Sequence, residues 1–162
     1  MTKAIQILFK NLTGKENILI KEANSQPIKI LDSYLFSQNI KKANFNKISS
    51  ILTNRVSQIV LTNNNYKKIL SNYGNFNWVI EIKFLPGVTD NTANTATEMI
   101  GENINSYKNN LKVGSSNIFL IKGKKNIAEQ IAKKESNPLI HSVRIISYKE
   151  YLSDFKNNQF LF

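Results

Sequence analysis

Any chemistry in this 162-residue chain has to be drawn from one histidine, His141, eleven carboxylates and no cysteine. That inventory removes disulfides, thiolate metal sites and cysteine nucleophiles together, and it leaves no histidine pair to hold zinc. Glu81 is the carboxylate that invites a catalytic role, since it lies inside W-V-I-E-I-K-F with Lys83 two residues on. The same placement suits an outward ion pair, which is what we expect of it. Asp90 precedes a helical pattern and reads as a helix cap rather than a base. His141 follows Asn137-Pro138 at the start of a strand, with no hydroxyl or carboxylate constellation near it in sequence to make a triad, and reads as a surface or interface histidine. Gly114-Ser115-Ser116 and Gly123-Lys124-Lys125 lack the glycine spacing of a phosphate-binding loop.

These residues are positioned by a strand and a helix. Trp78, Ile80, Ile82 and Phe84 alternate with Val79, Glu81, Lys83 and Leu85, the period-two pattern of a strand over 77–85. Pro86 has no amide proton to give a ladder and Gly87 tolerates a turn, so the strand ends there. Thr89 or Asp90 caps a helix over 91–108. Its stripe of Ala93, Ala96, Ile100 and Ile104 begins with two small residues, suited to close packing on a sheet. A strand over 116–122, a helix over 125–135 and a strand over 139–147 follow.

The first half runs in a similar order. Ile5, Ile7 and Phe9 define a strand, residues 28–38 a second with Ile28, Ile30, Tyr34 and Phe36, and Phe45, Ile48, Ile51 and Leu52 the inner face of a helix over 43–53. A third strand carries Val56, Ile59, Val60 and Leu61. Residues 16–26 fit either a short helix with Ile18, Leu19 and Ala23 inward or an extended piece. Tyr34-Leu35-Phe36, a helix, then Thr53-Asn54-Arg55-Val56 is echoed by Ile118-Phe119-Leu120, a helix, then Ser136-Asn137-Pro138-Leu139. Such self-similarity points to one supersecondary unit used twice. The expected fold is α+β: two strand-helix-strand-helix-strand halves, 1–63 and 77–148, each with a small sheet and flanking helices, packed as a pseudo-dimer. Residues 64–76 are read as a linker with one helical turn through Ile69 and Leu70. The segment 149–162 carries Tyr151, Leu152, Phe155, Phe160, Leu161 and Phe162, more apolar surface than a free terminus exposes.

The formal net charge of +11 raises nucleic acid as a partner. Nearly all of it is lysine, with Arg55 and Arg144 the two arginines, whereas phosphate- and base-gripping sites favour arginine's planar fork. The lysines fall in scattered pairs without a run of five, and read as a solvated surface. An RNA-binding alternative needs an exposed sheet face on which Phe36, Trp78, Phe84 and Phe119 could stack bases. Strands flanked by amphipathic helices need those same aromatics as core. No apolar run approaches the ~20 residues of a membrane span. Met1-Thr2-Lys3 leads straight into a strand pattern with no signal-peptide core, so a cytoplasmic location is expected.

Three segments carry a resemblance to a known family: V-I-E-I-K-F-L-P-G-V-T-D-N-T-A-N-T-A at 79–96, S-N-I-F-L-I-K-G at 116–123, and S-N-P-L-I-H-S-V-R-I at 136–145. They are similar to the PurS family, the small subunit of phosphoribosylformylglycinamidine synthase, whose relatives form the N-terminal domain of the long fused PurL enzymes. The P-G-V-T-D segment resembles the fused type more than the free subunit. The likeness covers 77–148 well and 28–62 weakly, and the first helix of the first half lacks the turn-plus-alanine pattern. In the fused enzymes this domain is similar to a small-subunit dimer made within one chain, so the resemblance implies a duplicated PurS-like unit. It also implies a non-catalytic assembly role in purine biosynthesis, joining synthetase (PurL-like) and glutaminase (PurQ-like) parts of a ligase that amidates formylglycinamide ribonucleotide. ATP and magnesium would belong to the synthetase, and no cofactor to this chain. Trp78, Phe84, Pro86, Gly87, Asp90, Asn137, Pro138 and His141 are then expected to act in structure and interfaces. The apolar tail would continue into, or pack on, a synthetase domain, and self-association is a further expectation.

Overall fold

The computed structural model describes residues 2–24 and 26–157. Six strands are β1 (Thr2–Phe9), β2 (Ile28–Ile40), β3 (Gln58–Leu61), β4 (Trp78–Phe84), β5 (Val113–Ile121) and β6 (His141–Ser147). Six helices are α1 (Gly14–Glu22), α2 (Lys42–Leu52), α3 (Tyr66–Ser71), α4 (Asn91–Asn103), α5 (Lys125–Glu135) and α6 (Tyr148–Asn157). The fold is α+β, as expected, but it holds one sheet rather than two. All neighbouring strands are antiparallel, in the order β3-β1-β2-β5-β4-β6. The two halves meet along β2 and β5, from Ile28 opposite Ile121 to Phe36 opposite Val113. Edge-to-edge joining gives both strands' backbone amides and carbonyls partners that two face-packed sheets would leave open.

The strand order reads alike from either edge once β1, β2 and β3 are matched with β4, β5 and β6. Register refines the echo seen in the sequence. Ile5 lies opposite Tyr34, as Ile80 lies opposite Phe119, so Tyr34 corresponds to Phe119 and Phe36 to Ile121. The expected match of Tyr34-Leu35-Phe36 to Ile118-Phe119-Leu120 is off by one residue. A slip of one moves every side chain to the other face, and indeed Phe36 and Leu120, paired in that match, belong to different cores. In the corrected register I-Q-I-L-F of β1 overlies I-E-I-K-F of β4, and the central cross-strand pair is Asp32 opposite Asn117.

One face carries α1, α2, α4 and α5, arranged across the halves. Ile48 of α2 and Ala93, Ala96 and Ile100 of α4 share a core with Ile5, Ile7 and Phe36. Leu19 of α1 and Ala23 at its C-cap share another with Ala128, Ile131 and Ala132 of α5, over Ile28, Ile80 and Phe119. Ion pairs Lys15–Glu135 and Lys134–Glu22 tie α1 to α5. Each helix pair thus takes one member from each half. The stripe read in α4 is borne out: Ala93, Ala96, Ile100 and Ile104 are all buried. That helix ends at Asn103 rather than near 108, where the Asn103 side chain donates back to Met99 O, competing with the backbone ladder.

The opposite face is covered by α3 and α6 over Leu8, Leu31, Val79, Ile118 and Leu120, with the Tyr66 and Phe155 rings stacked 4.5 Å apart. Residues 64–76 are therefore no free linker: Tyr66, Leu70 and Phe76 are core. The tail residues Tyr151 and Phe155 are buried against this chain's own sheet, not held out for another domain, while Phe160, Leu161 and Phe162 lie outside the described residues. The open choice over 16–26 resolves as helix through 22. Thr13 caps α1: Glu16 N–H donates to its Oγ1 at 3.2 Å and Thr13 N–H donates to Glu16 Oε1 at 3.0 Å, a capping box. Among the described residues no helix is long and apolar enough to cross a membrane.

Candidate functional site

At the end of β4 the chain turns through Leu85–Thr89 into α4, and the turn walls a cavity of about 770 Å³. Gly87 takes φ +84°, a left-handed value that L side chains rarely adopt, which is why glycine stands after Pro86. Asp90, not Thr89, caps α4. Its carboxylate accepts Ala93 N–H at 2.9 Å, Ser115 N–H at 2.8 Å and Ser115 Oγ–H at 2.8 Å, so one side chain closes the helix and fastens it to β5. Around this anchor stand two cations, Lys83 and Lys112, the hydroxyls of Thr89 and Ser142, and apolar walls that include Leu35, Phe84 and Val113. No ion pair involves either lysine among the described residues.

The Asn137-Pro138 stretch and His141 form a rigid turn. Asn137 Oδ1 accepts Leu139 N–H at 3.0 Å, Asn137 O accepts His141 N–H at 2.8 Å, and His141 Nδ1 accepts Asn137 N–H at 3.0 Å. The first half builds the same turn with other residues. Asn54 Oδ1 accepts Val56 N–H at 3.0 Å, Asn54 O accepts Gln58 N–H at 2.8 Å, and Gln58 Oε1 accepts Asn54 N–H at 2.8 Å. His141 therefore does what a glutamine does at the matching place: its ring nitrogen closes the turn. Its other contact is Phe84, directly opposite on β4, with ring centroids 5.0 Å apart. The fold thus gathers Phe84, Pro86, Gly87, Asp90, Asn137, Pro138 and His141 at one end of the sheet. Trp78 is left at the far end of β4, half-buried with Lys125 Nζ 5.7 Å from its ring centre.

Glu81 departs from the expectation of an outward ion pair with Lys83. It faces α6, lies opposite Arg144 on β6 and accepts from Ser116 Oγ at 3.4 Å. Arg144 in turn binds Asp154 at 2.6 Å and Glu150 at 3.4 Å, both on α6, and the Glu81 charge acts on that same guanidinium. Two groups escaped the sequence reading. Glu16 and Lys29 form a buried ion pair at 3.2 Å, with side chains 0% and 1% exposed. Glu16 also accepts Ile30 N–H, and Lys29 Nζ lies 4.5 Å from the Tyr73 ring centre. The signal for Glu16 was present as T-G-K-E; nothing local marks Lys29. On the helix-bearing face, Asp32 is half-buried between the two helix pairs. Burial pushes its carboxyl up, partly opposed by Lys15. Tyr34 beside it is raised by burial and by the charges of Asp32 and Asp90.

Compared with protein-family models, with curated proteins and with solved structures, the chain matches none.

Proposed function

We propose that this chain is a non-catalytic assembly domain of a phosphoribosylformylglycinamidine synthase, holding synthetase and glutaminase parts together so that ammonia passes between them without loss to water. The reading starts from the PurS-like segments at 79–96, 116–123 and 136–145. The observation that carries it is the internal two-fold: two strand-helix-strand-helix-strand halves joined edge to edge through β2 and β5, as two copies of a small subunit would be within one chain. Support also comes from the jobs held by the motif residues. Asp90 fastens a helix to a strand and His141 closes a turn, which suits a scaffold that presents surface rather than a centre that moves protons. The RNA-binding alternative loses two of the four rings of its platform, because Phe36 and Phe119 lie under helices at 1% exposure.

Mixing the purified chain with matching synthetase and glutaminase parts should yield a complex and raise glutamine-dependent amidation. Hydrolysis of ATP or glutamine by the isolated chain, or no complex with or without nucleotide, would overturn the proposal.

A further inference from the structure

The two halves obey one plan, so the place where they differ most in content is informative. In the first half, the third residue of α1 is Glu16, and its carboxylate meets Lys29 on β2. Counting from the Asp90 cap, the matching residue of α4 is Ala93. Lys29 lies opposite Leu120 while Gly114 lies opposite Leu35, and Leu120 and Leu35 correspond in the shared register, so the counterpart of Lys29 is Gly114. The backbone amides beside them keep the same rule: Ile30 N–H goes to Glu16 Oε2 and Ser115 N–H goes to Asp90 Oδ2. A charged pair that plugs one half is thus replaced by a methyl group and a hydrogen in the other. Ala93 and Gly114 both line the cavity of about 770 Å³.

We infer that this cavity is a ligand site for a phosphate monoester with an apolar or aromatic body, no larger than a mononucleotide. The volume falls in the range of about 300–1,000 Å³ typical of small-molecule sites. Lys83 takes the position matching Leu8 of the first half, and Lys112 stands at the entry to β5, so the second half adds two ammonium groups where it loses the plug. Two cations match the double charge of a phosphate monoester, and lysine serves phosphate as a point charge. The one carboxylate in the wall, Asp90, has both oxygens turned to Ala93 N–H and to Ser115. Thr89 and Ser142 offer hydroxyls, and Leu35, Phe84 and Val113 offer an apolar bed for the esterified group.

The test is a titration of the whole ¹⁵N-labelled chain with inorganic phosphate, phenyl phosphate and adenosine 5′-monophosphate. Saturable shifts centred on the amides of Gly87, Gly114 and Ser115, with the esters binding more tightly than inorganic phosphate, are expected. Lys83→Gln and Lys112→Gln should each weaken ester binding by about tenfold, the loss of one charge-assisted contact. The double substitution Ala93→Glu with Gly114→Lys restores the plug of the first half and should abolish binding. It adds no backbone strain, since Gly114 is outside the positive-φ glycines. Shifts spread evenly over surface lysines, no saturation, or undiminished binding in Lys83→Gln would each overturn the inference. Should the plugged variant fold poorly, the two lysine variants decide the matter alone.

Discussion

At the centre of the sheet two residues stand opposite one another, Asp32 and Asn117, each the counterpart of the other across the internal two-fold. They differ by one ionisable group, and the difference has a sign. Burial raises the Asp32 carboxyl above its usual 3.8, with Lys15 offsetting part of the effect. The folded chain therefore holds that proton more firmly than the unfolded chain, and stability falls as pH rises from 3.8 through the raised value. Asp32→Asn, which makes the central pair Asn–Asn, should raise the unfolding temperature at pH 7, well above the 3.8 at which the unfolded carboxyl titrates. The gain should shrink towards zero below pH 3.8, where both chains are neutral at this position. Thermal melts of the two proteins across that range check it, and a gain independent of pH would show that charge is not the cause.

At the scale of elements, the Glu16–Lys29 pair fixes α1 to β2. Removing one member strands a charge with side-chain exposure near zero, so Glu16→Gln should cost about 3–5 kcal/mol in urea unfolding. Replacing both, Glu16→Gln with Lys29→Met, should recover much of that loss, because no charge is then left buried and the glutamine side chain keeps an oxygen for the Thr13 or Ile30 amide. A single substitution as mild as the double would sink this account. The helix it anchors was half legible. Of the helical alternative's inward residues Leu19 and Ala23 are buried and Ile18 is exposed, the lysines blur the period, and the local sign that separates helix from strand, the Thr13–Glu16 box, was not read. In the second half, strand alternation and the alanine stripe of α4 stood out because tertiary packing and local pattern agree there. The tail shows the limit of local pattern. Tyr148, Tyr151, Leu152 and Phe155 recur at helical spacing, yet spacing says nothing about which sheet they cover, and they cover their own. The cavity beside Gly87 was illegible for a different reason: it follows from Ala93 and Gly114 standing where the other half has Glu16 and Lys29, and that comparison needs the register.

For the whole molecule, the crossing of helices between halves decides what a fragment can do. Residues 75–162 alone would expose the β5 edge from Val113 to Ile121, and would leave α4 without α2 and α5 without α1. That fragment should self-associate through β5 or remain poorly folded, as light scattering and the dispersion of its amide spectrum would report. A well-dispersed monomer would mean that each half is stable by itself. The same crossing bears on how the chain is made. A ribosome adds about 5–20 residues per second, so β2 emerges several seconds before β5, and α1 and α2 appear before the helices that bury them. Vectorial synthesis therefore cannot finish the first half as a unit. The nascent strand has to wait with an open edge, and Lys29 and Asp32 within it are the kind of charged residues that keep such an edge from recruiting a stranger before its own partner arrives.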